Sequence, residues 1–312
     1  MTRREYGLLE DHIINTFRND RVFLYHGKMC EAIEADKPRP QSMGGECKTD
    51  VFVRAKIQDT GEEFEIKISV KKTNKEFMGN KLKQKDVESY IGPDWENILI
   101  EATTSMRDSF ENRTLMYASG HYPIKPNSIT VGWKLEIADR ARALSVPIPL
   151  SERRIKDYIY KGINQTSDKK DAVVNGRVVP DSGVADYLLV TCKENIKTAN
   201  DVIEQMELID NVDIGDTYFI FTANNYRTDV KKADGPRALA VRIEWVVDNG
   251  KMTPKFHYDH PLQYTGEQDM APIVRHALDY LGKENITDMN PGIDVDNLSF
   301  FRFCMAYNSC TH

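Results

Sequence analysis

GGECKTDVFVRAKIQDTGEEFEIKISVKK, residues 44–72, decides how this chain is read. Two β-rich runs flank the turn Asp59-Thr60-Gly61-Glu62. In an antiparallel hairpin, residues equidistant from the turn face each other. Asp50 and a point near Val70 each lie about ten residues from Thr60, so the fold-back sets a carboxylate beside Lys71 at one end of the ribbon. In the second run Phe64, Ile66, Ile68 and Val70 alternate with Glu65, Lys67, Ser69 and Lys71, which gives one apolar and one polar face. A strand with a merely solvated face would alternate in the same way. Alternation alone names no function.

The flanks say more. Lys48-Thr49-Asp50-Val51 leads into the hairpin, Ile68-Ser69-Val70-Lys71-Lys72 leaves it, and Asn74 follows. This pattern resembles the PD-(D/E)xK nuclease superfamily, the fold shared by many restriction endonucleases, over roughly the first third of the chain. The resemblance implies an α/β, restriction-endonuclease-like core, a mixed β-sheet flanked by helices. It also implies a Mg²⁺-dependent endonuclease cutting double-stranded DNA, most plausibly a type II restriction enzyme. Asp50 would coordinate the metal. Lys71 would orient or activate the attacking water and stabilise charge on the phosphate.

Two departures matter. Thr49 stands where the pattern has proline, and Ser69 fills the acidic position two before the lysine. A serine cannot supply the anionic oxygen that a hard cation prefers. Either the acid comes from elsewhere, with Glu88, Glu46, Glu10 and Glu31 as candidates, or Glu65-Ile66-Lys67 is the working pair. Glu65 and Ser69 share a face but lie roughly 13 Å apart along the strand, too far to share one ion. Ser69 with Lys71 is the favoured register and Glu88 the favoured acid; Glu65 is held in reserve. The rival reading is a non-catalytic DNA-binding or assembly protein that keeps the fold.

Charge and composition bound these readings. Hydrophobic residues make up 40% and charged ones 29%, the balance of an ordinary soluble protein. No apolar run approaches the roughly 18 residues of a membrane span. The acidic start MTRREYGLLED does not look like a signal peptide, so a cytoplasmic location is expected. Five cysteines with no CxxC pair argue against a disulfide framework or zinc ribbon. A net charge of −6 counts against a simple nucleic-acid coat, yet seven lysines lie between Lys67 and Lys85 against the single acid Glu76. Lys67, Lys72, Lys75 and Lys81 are therefore expected to grip backbone phosphates. A homodimer or higher homo-oligomer suits an enzyme that cuts both strands of a palindromic site.

Along the chain, helices are expected over 4–18, 27–36, 81–91, 138–144, 151–162, 198–210 and 270–284. Strands are expected at 129–137, 172–193 with an Asn-Gly turn, 216–228 and 238–258 turning at Asp248-Asn249-Gly250. Residues 97–104 read as a strand or as the start of a helix. Residues 1–150 would be the nuclease core and 151–312 a mixed α/β half for DNA recognition or dimerisation, unless the two interlock as one domain. Pro180-Asp181 with Asp186 and Lys193 makes a second, weaker match to the nuclease pattern. His257 and His260 lack a third ligand at zinc spacing and read as a polar surface loop. Phosphate-loop and Gly-x-Ser-x-Gly motifs are both absent.

Overall fold

The structure is a computed structural model and describes residues 3–42, 45–73, 77–80, 82–120 and 124–299. The chain is mixed α/β and divides into two units. The first comprises Met1–Glu76, Ser89–Gly92 and Leu150–Gly215; the second comprises Phe77–Glu88, Pro93–Pro149 and Asp216–His312. The division therefore does not fall at residue 150. Strand Tyr187–Thr191 lies parallel to Glu63–Lys72, and that pairing holds the 150–215 segment in the first unit.

In the first unit, helix α1 (Arg3–Asn19) precedes strands β1 (Val22–Tyr25), β2 (Lys28–Asp36), β3 (Val51–Ile57) and β4 (Glu63–Lys72). These four form an antiparallel meander, and Tyr187–Thr191 then adds in parallel to β4, so the sheet is mixed. Leu9, Ile13 and Phe17 of α1 and Val202 of helix Ala199–Gln205 pack with Val51, Val53, Ile66, Ile68 and Val70 in one buried cluster. The apolar set read from β4 is thus its core face. Burying each such side chain contributes about 1.5–3 kcal/mol, and together they fix which face of the strand looks outward.

Residues 28–36 are strand β2, not the expected helix. Helix propensity here is overridden by pairing on both sides, with β1 through the turn His26-Gly27 (φ 48° and 75°) and with β3. The 138–144 stretch is likewise not helical. Ser145 Oγ accepts from Arg142 N and donates to Arg142 O, closing a turn there. Residues 97–104 belong to helix Trp95–Ser105. Ser151 caps its helix by accepting from Arg154 N, and Gly162 (φ 78°) ends the π-helical turn that follows. Asn175-Gly176 (φ 46° and 80°) turns the short hairpin of residues 173–178 as read.

In the second unit the buried strand Ser128–Ala138 runs between Tyr218–Arg227 and the hairpin Val241–Asp248/Lys251–His257. Helix Ala271–Tyr280 carries the buried Val274, Ala277 and Leu278. Among the described residues no helix is long and apolar enough to cross a membrane.

Candidate active site

The site grows out of the end of a β-ladder. Val51 pairs with Ile68, and Asp50 N donates to Ile68 O at 2.8 Å, which sets Asp50 opposite Ser69, one residue from the expected pairing. β3 begins at Val51, and beyond it the Asp50 side chain takes over from the backbone. Its Oδ2 accepts from Val70 N at 2.8 Å, while Ser69 Oγ lies 3.4 Å from the same oxygen. One carboxylate oxygen is therefore fixed by a charge-assisted bond. Oδ1 has no hydrogen bond among the described residues. Ser69 is buried, at 2% exposure, and Lys71, two positions on along the same face, is half-buried and makes no ion pair among the described residues.

Two further lysines lie in this part of the first unit. The Lys48 ammonium sits 4.2 Å from the centre of the Tyr90 ring, and its stem packs against Gly162, where a Cβ would come within 2.4 Å of Lys48 Cγ. Burial pushes the Lys48 pKa well below the ordinary lysine value; Lys71 and Lys169 push it further down and Asp50 opposes them. The end of the Lys169 side chain lies over Gly45. Burial pushes the Cys47 thiol up to about 11, against the pull of Lys169, as expected of an unreactive buried thiol.

A second carboxylate comes from α1. Glu10 is held above its ordinary value first by burial and then by the negative charge of Asp50, while its ion pair with Lys37 pulls it down. The Glu10 carboxylate thus feels the negative charge of Asp50. Mg²⁺ takes one or two carboxylates and completes its shell with water and substrate phosphates, and carboxylate oxygens are the kind of donor that Asp50 and Glu10 carry. Among the described residues no group of three or more His, Cys, Asp or Glu side chains is placed to hold a metal.

The remaining candidates fall elsewhere. Lys67 Nζ pairs with Asp186 at 3.2 Å and reaches Asp181 O at 3.4 Å; Glu65 is raised by burial, with Lys67 opposing and Asp186 adding. The reserve pair Glu65 and Lys67 thus shares one group with Asp186 of the second nuclease-like match, four residues along β4 from Ser69 and Lys71. Glu31 pairs with Arg21 and Lys56. Glu46 is exposed, and Lys72 is half-buried at the end of β4. Glu88 is exposed on helix Gln84–Ile91 in the second unit. Lys75, Lys81 and Asn74 lie outside the described residues. His257 Nε2 lies 2.9 Å from Glu244 Oε2, in keeping with a polar surface role.

Sequence reasoning missed Lys37, Lys48 and Lys169. Lys48 could have been found, since it opens the Lys48-Thr49-Asp50 run. Lys169 could not, because it reaches the site only through the fold. Compared with known proteins, the chain matches no family model, no curated protein and no solved structure.

Proposed function

We propose that this protein is a Mg²⁺-dependent endodeoxyribonuclease of the type II restriction kind, whose first unit is a variant restriction-endonuclease-like core. The observation that carries the reading is Asp50 at the open end of the β3–β4 ladder, with Ser69 and Lys71 on the facing strand and Lys48 beside them. Double-stranded DNA in the cytoplasm is the substrate, and a homodimer is the form that cuts both strands. Asp50 and Glu10 would hold Mg²⁺, which when bound stabilises negative charge on the phosphate. Asp50 is pre-oriented by Val70 N, so little rearrangement is needed. Lys71 orients the attacking water and offers its ammonium to the phosphate oxygens as charge develops there. Lys169 keeps the surroundings favourable to a phosphate, and Lys72, Lys75 and Lys81 contact the backbone of the duplex.

Ser69 supports a second reading, a DNA-binding protein that has lost the chemistry, because a buried hydroxyl stands where the pattern has an acid. Incubation with phage DNA in Mg²⁺ and in EDTA separates the two. Discrete fragments with uniform ends in Mg²⁺ alone support the nuclease; binding without cleavage selects the alternative.

A further inference from the structure

We propose that Gly183 is a positioning residue for Asp50: its carbonyl docks the two residues before Asp50 and so sets where that carboxylate stands. This rests on the nuclease reading for what Asp50 does, not for how it is held. The β3–β4 ladder ends at the Val51–Ile68 pair and at Asp50 N, which donates to Ile68 O. Lys48 and Thr49 lie ahead of β3, so their N–H groups need another acceptor. Both donate to Gly183 O, Lys48 N at 3.0 Å and Thr49 N at 3.1 Å. Gly183 is itself fixed. Its N donates to Lys170 O at 2.8 Å, and a Cβ on it would lie 1.8 Å from Lys169 O, a backbone atom that cannot swing aside. That close approach is what requires glycine here. The residues before it are tied as well. Asp181 (φ 51°) donates its N–H to Asp171 Oδ1 at 3.0 Å, and the buried Ser182 hydroxyl lies 2.8 Å from Val179 O and 3.2 Å from Ala172 O. The Pro180-Asp181 stretch forms the turn that leads into Gly183.

The same contact accounts for a departure from the nuclease pattern. Thr49 stands where that pattern has proline, and a proline has no N–H to give. The Thr49 hydroxyl is buried and has no hydrogen-bond partner among the described residues. It is therefore the backbone of residue 49, not its side chain, that Gly183 uses.

The test compares variants of the full chain by amide hydrogen exchange without DNA, and then by single-turnover cleavage. Val70 N–H, the donor to Asp50 Oδ2, reports the place of the carboxylate. Ile57 N–H and Ala32 N–H, bonded to Glu62 O and Arg21 O, are the references, since a general loss of stability speeds all three together. Thr49→Pro should raise Val70 exchange about threefold to tenfold over the references, the worth of one hydrogen bond. It should also slow cleavage about tenfold, because misplaced reacting groups cost rate steeply, although it restores the proline of the pattern. Thr49→Val keeps the N–H and drops an unpartnered hydroxyl, so it should match wild type in both measurements. Ser182→Ala loosens the turn without touching the lead and should raise Val70 exchange about threefold. It decides the matter alone if Thr49→Pro does not fold.

Val70 exchange that stays level with the references in every folded variant would overturn the inference and leave the nuclease reading standing. Cleavage by Thr49→Pro at the wild-type rate or above would overturn it too. A rise confined to Val70, in a chain whose wild type cuts no DNA, would support the positioning role and remove the nuclease.

Discussion

The polar face of β4 carries two lysines four residues apart, and they live in different worlds. Lys67 stands inside the sheet, opposite Phe52 on β3, with its ammonium closed by Asp186 and its side chain only 14% exposed. Lys71 stands past the last β3–β4 pair, flanked by Val190 of the parallel strand Tyr187–Thr191, where the ladder to β3 has run out and Asp50 replaces a backbone acceptor. Inside a sheet, cross-strand neighbours consume a charge; at a ladder end, backbone and side-chain groups are left to converge on something else. The same residue type on the same face is thus a structural partner at one position and a candidate for chemistry at the other.

The largest effect should come from Asp50. Asp50→Asn keeps an oxygen for Val70 N and removes the charge, so cleavage in Mg²⁺ should disappear while thermal stability stays close to wild type. Asp50→Ala should lose cleavage too, and should also lose stability. It leaves the Val70 N–H without its acceptor, which costs about 1–3 kcal/mol where the group is buried. Cleavage at wild-type rate by Asp50→Asn would remove this end of the sheet from the chemistry.

Next comes the direct contest between the two lysines. Lys71→Ala should slow cleavage about a hundredfold to a thousandfold, as expected for loss of a charge-stabilising group. Lys67→Ala should cut at close to the wild-type rate and lose up to about 1 kcal/mol of stability, since Asp186 is partly exposed and solvent screens the pair. The reverse ranking in single-turnover rates would move the site to Glu65, Lys67 and Asp186.

The source of the second carboxylate should show as a smaller effect, in metal dependence. Glu10→Gln should raise the Mg²⁺ needed for half-maximal cleavage about tenfold, the loss of one of the one or two carboxylates that such a site uses. Glu88→Gln should leave it unchanged. If Glu88→Gln shifts the dependence and Glu10→Gln does not, the carboxylate comes from the helix Gln84–Ile91, as sequence alone first suggested.

Sequence made the hairpin readable because its signals are local. Alternation over residues 64–71, the Asp59–Glu62 turn and the Lys48-Thr49-Asp50 lead all lie within thirty residues of chain. The Asn175-Gly176 turn was readable for the same reason. What escaped was set at long range. Residues 28–36 become a strand only because β1 and β3 pair with them, and the 150–215 segment joins the first unit only through the parallel pairing of Tyr187–Thr191 with β4. Glu10 was among several acids that sequence could name. Nothing local ranked it, because its approach to Asp50 depends on α1 packing against the sheet.

The finest test concerns Ser69, where the two ends of the strand face meet. Its hydroxyl lies 3.4 Å from Asp50 Oδ2, at the long end of hydrogen-bond geometry, while Val70 N holds the same oxygen at 2.8 Å. Asp50 should therefore keep its place without the hydroxyl. Ser69→Ala should cost about 0.5 kcal/mol of stability, the low end for a single hydrogen bond. Cleavage should slow by no more than about two- to threefold, which is what that energy amounts to if all of it were lost at the transition state. Ser69→Asp restores the acid of the nuclease pattern at a position only 2% exposed. Its new carboxylate meets Asp50 directly, and without a cation the like charges should lower the melting temperature in EDTA. Added Mg²⁺ should recover more of that loss than it gains for wild type, because the ion then neutralises one more anionic oxygen donor. If Ser69→Ala is as inactive as Asp50→Asn, the hydroxyl itself takes part in the chemistry and the contrast must be redrawn around Ser69. If Ser69→Asp gains nothing from Mg²⁺, the cation does not sit at this end of the sheet.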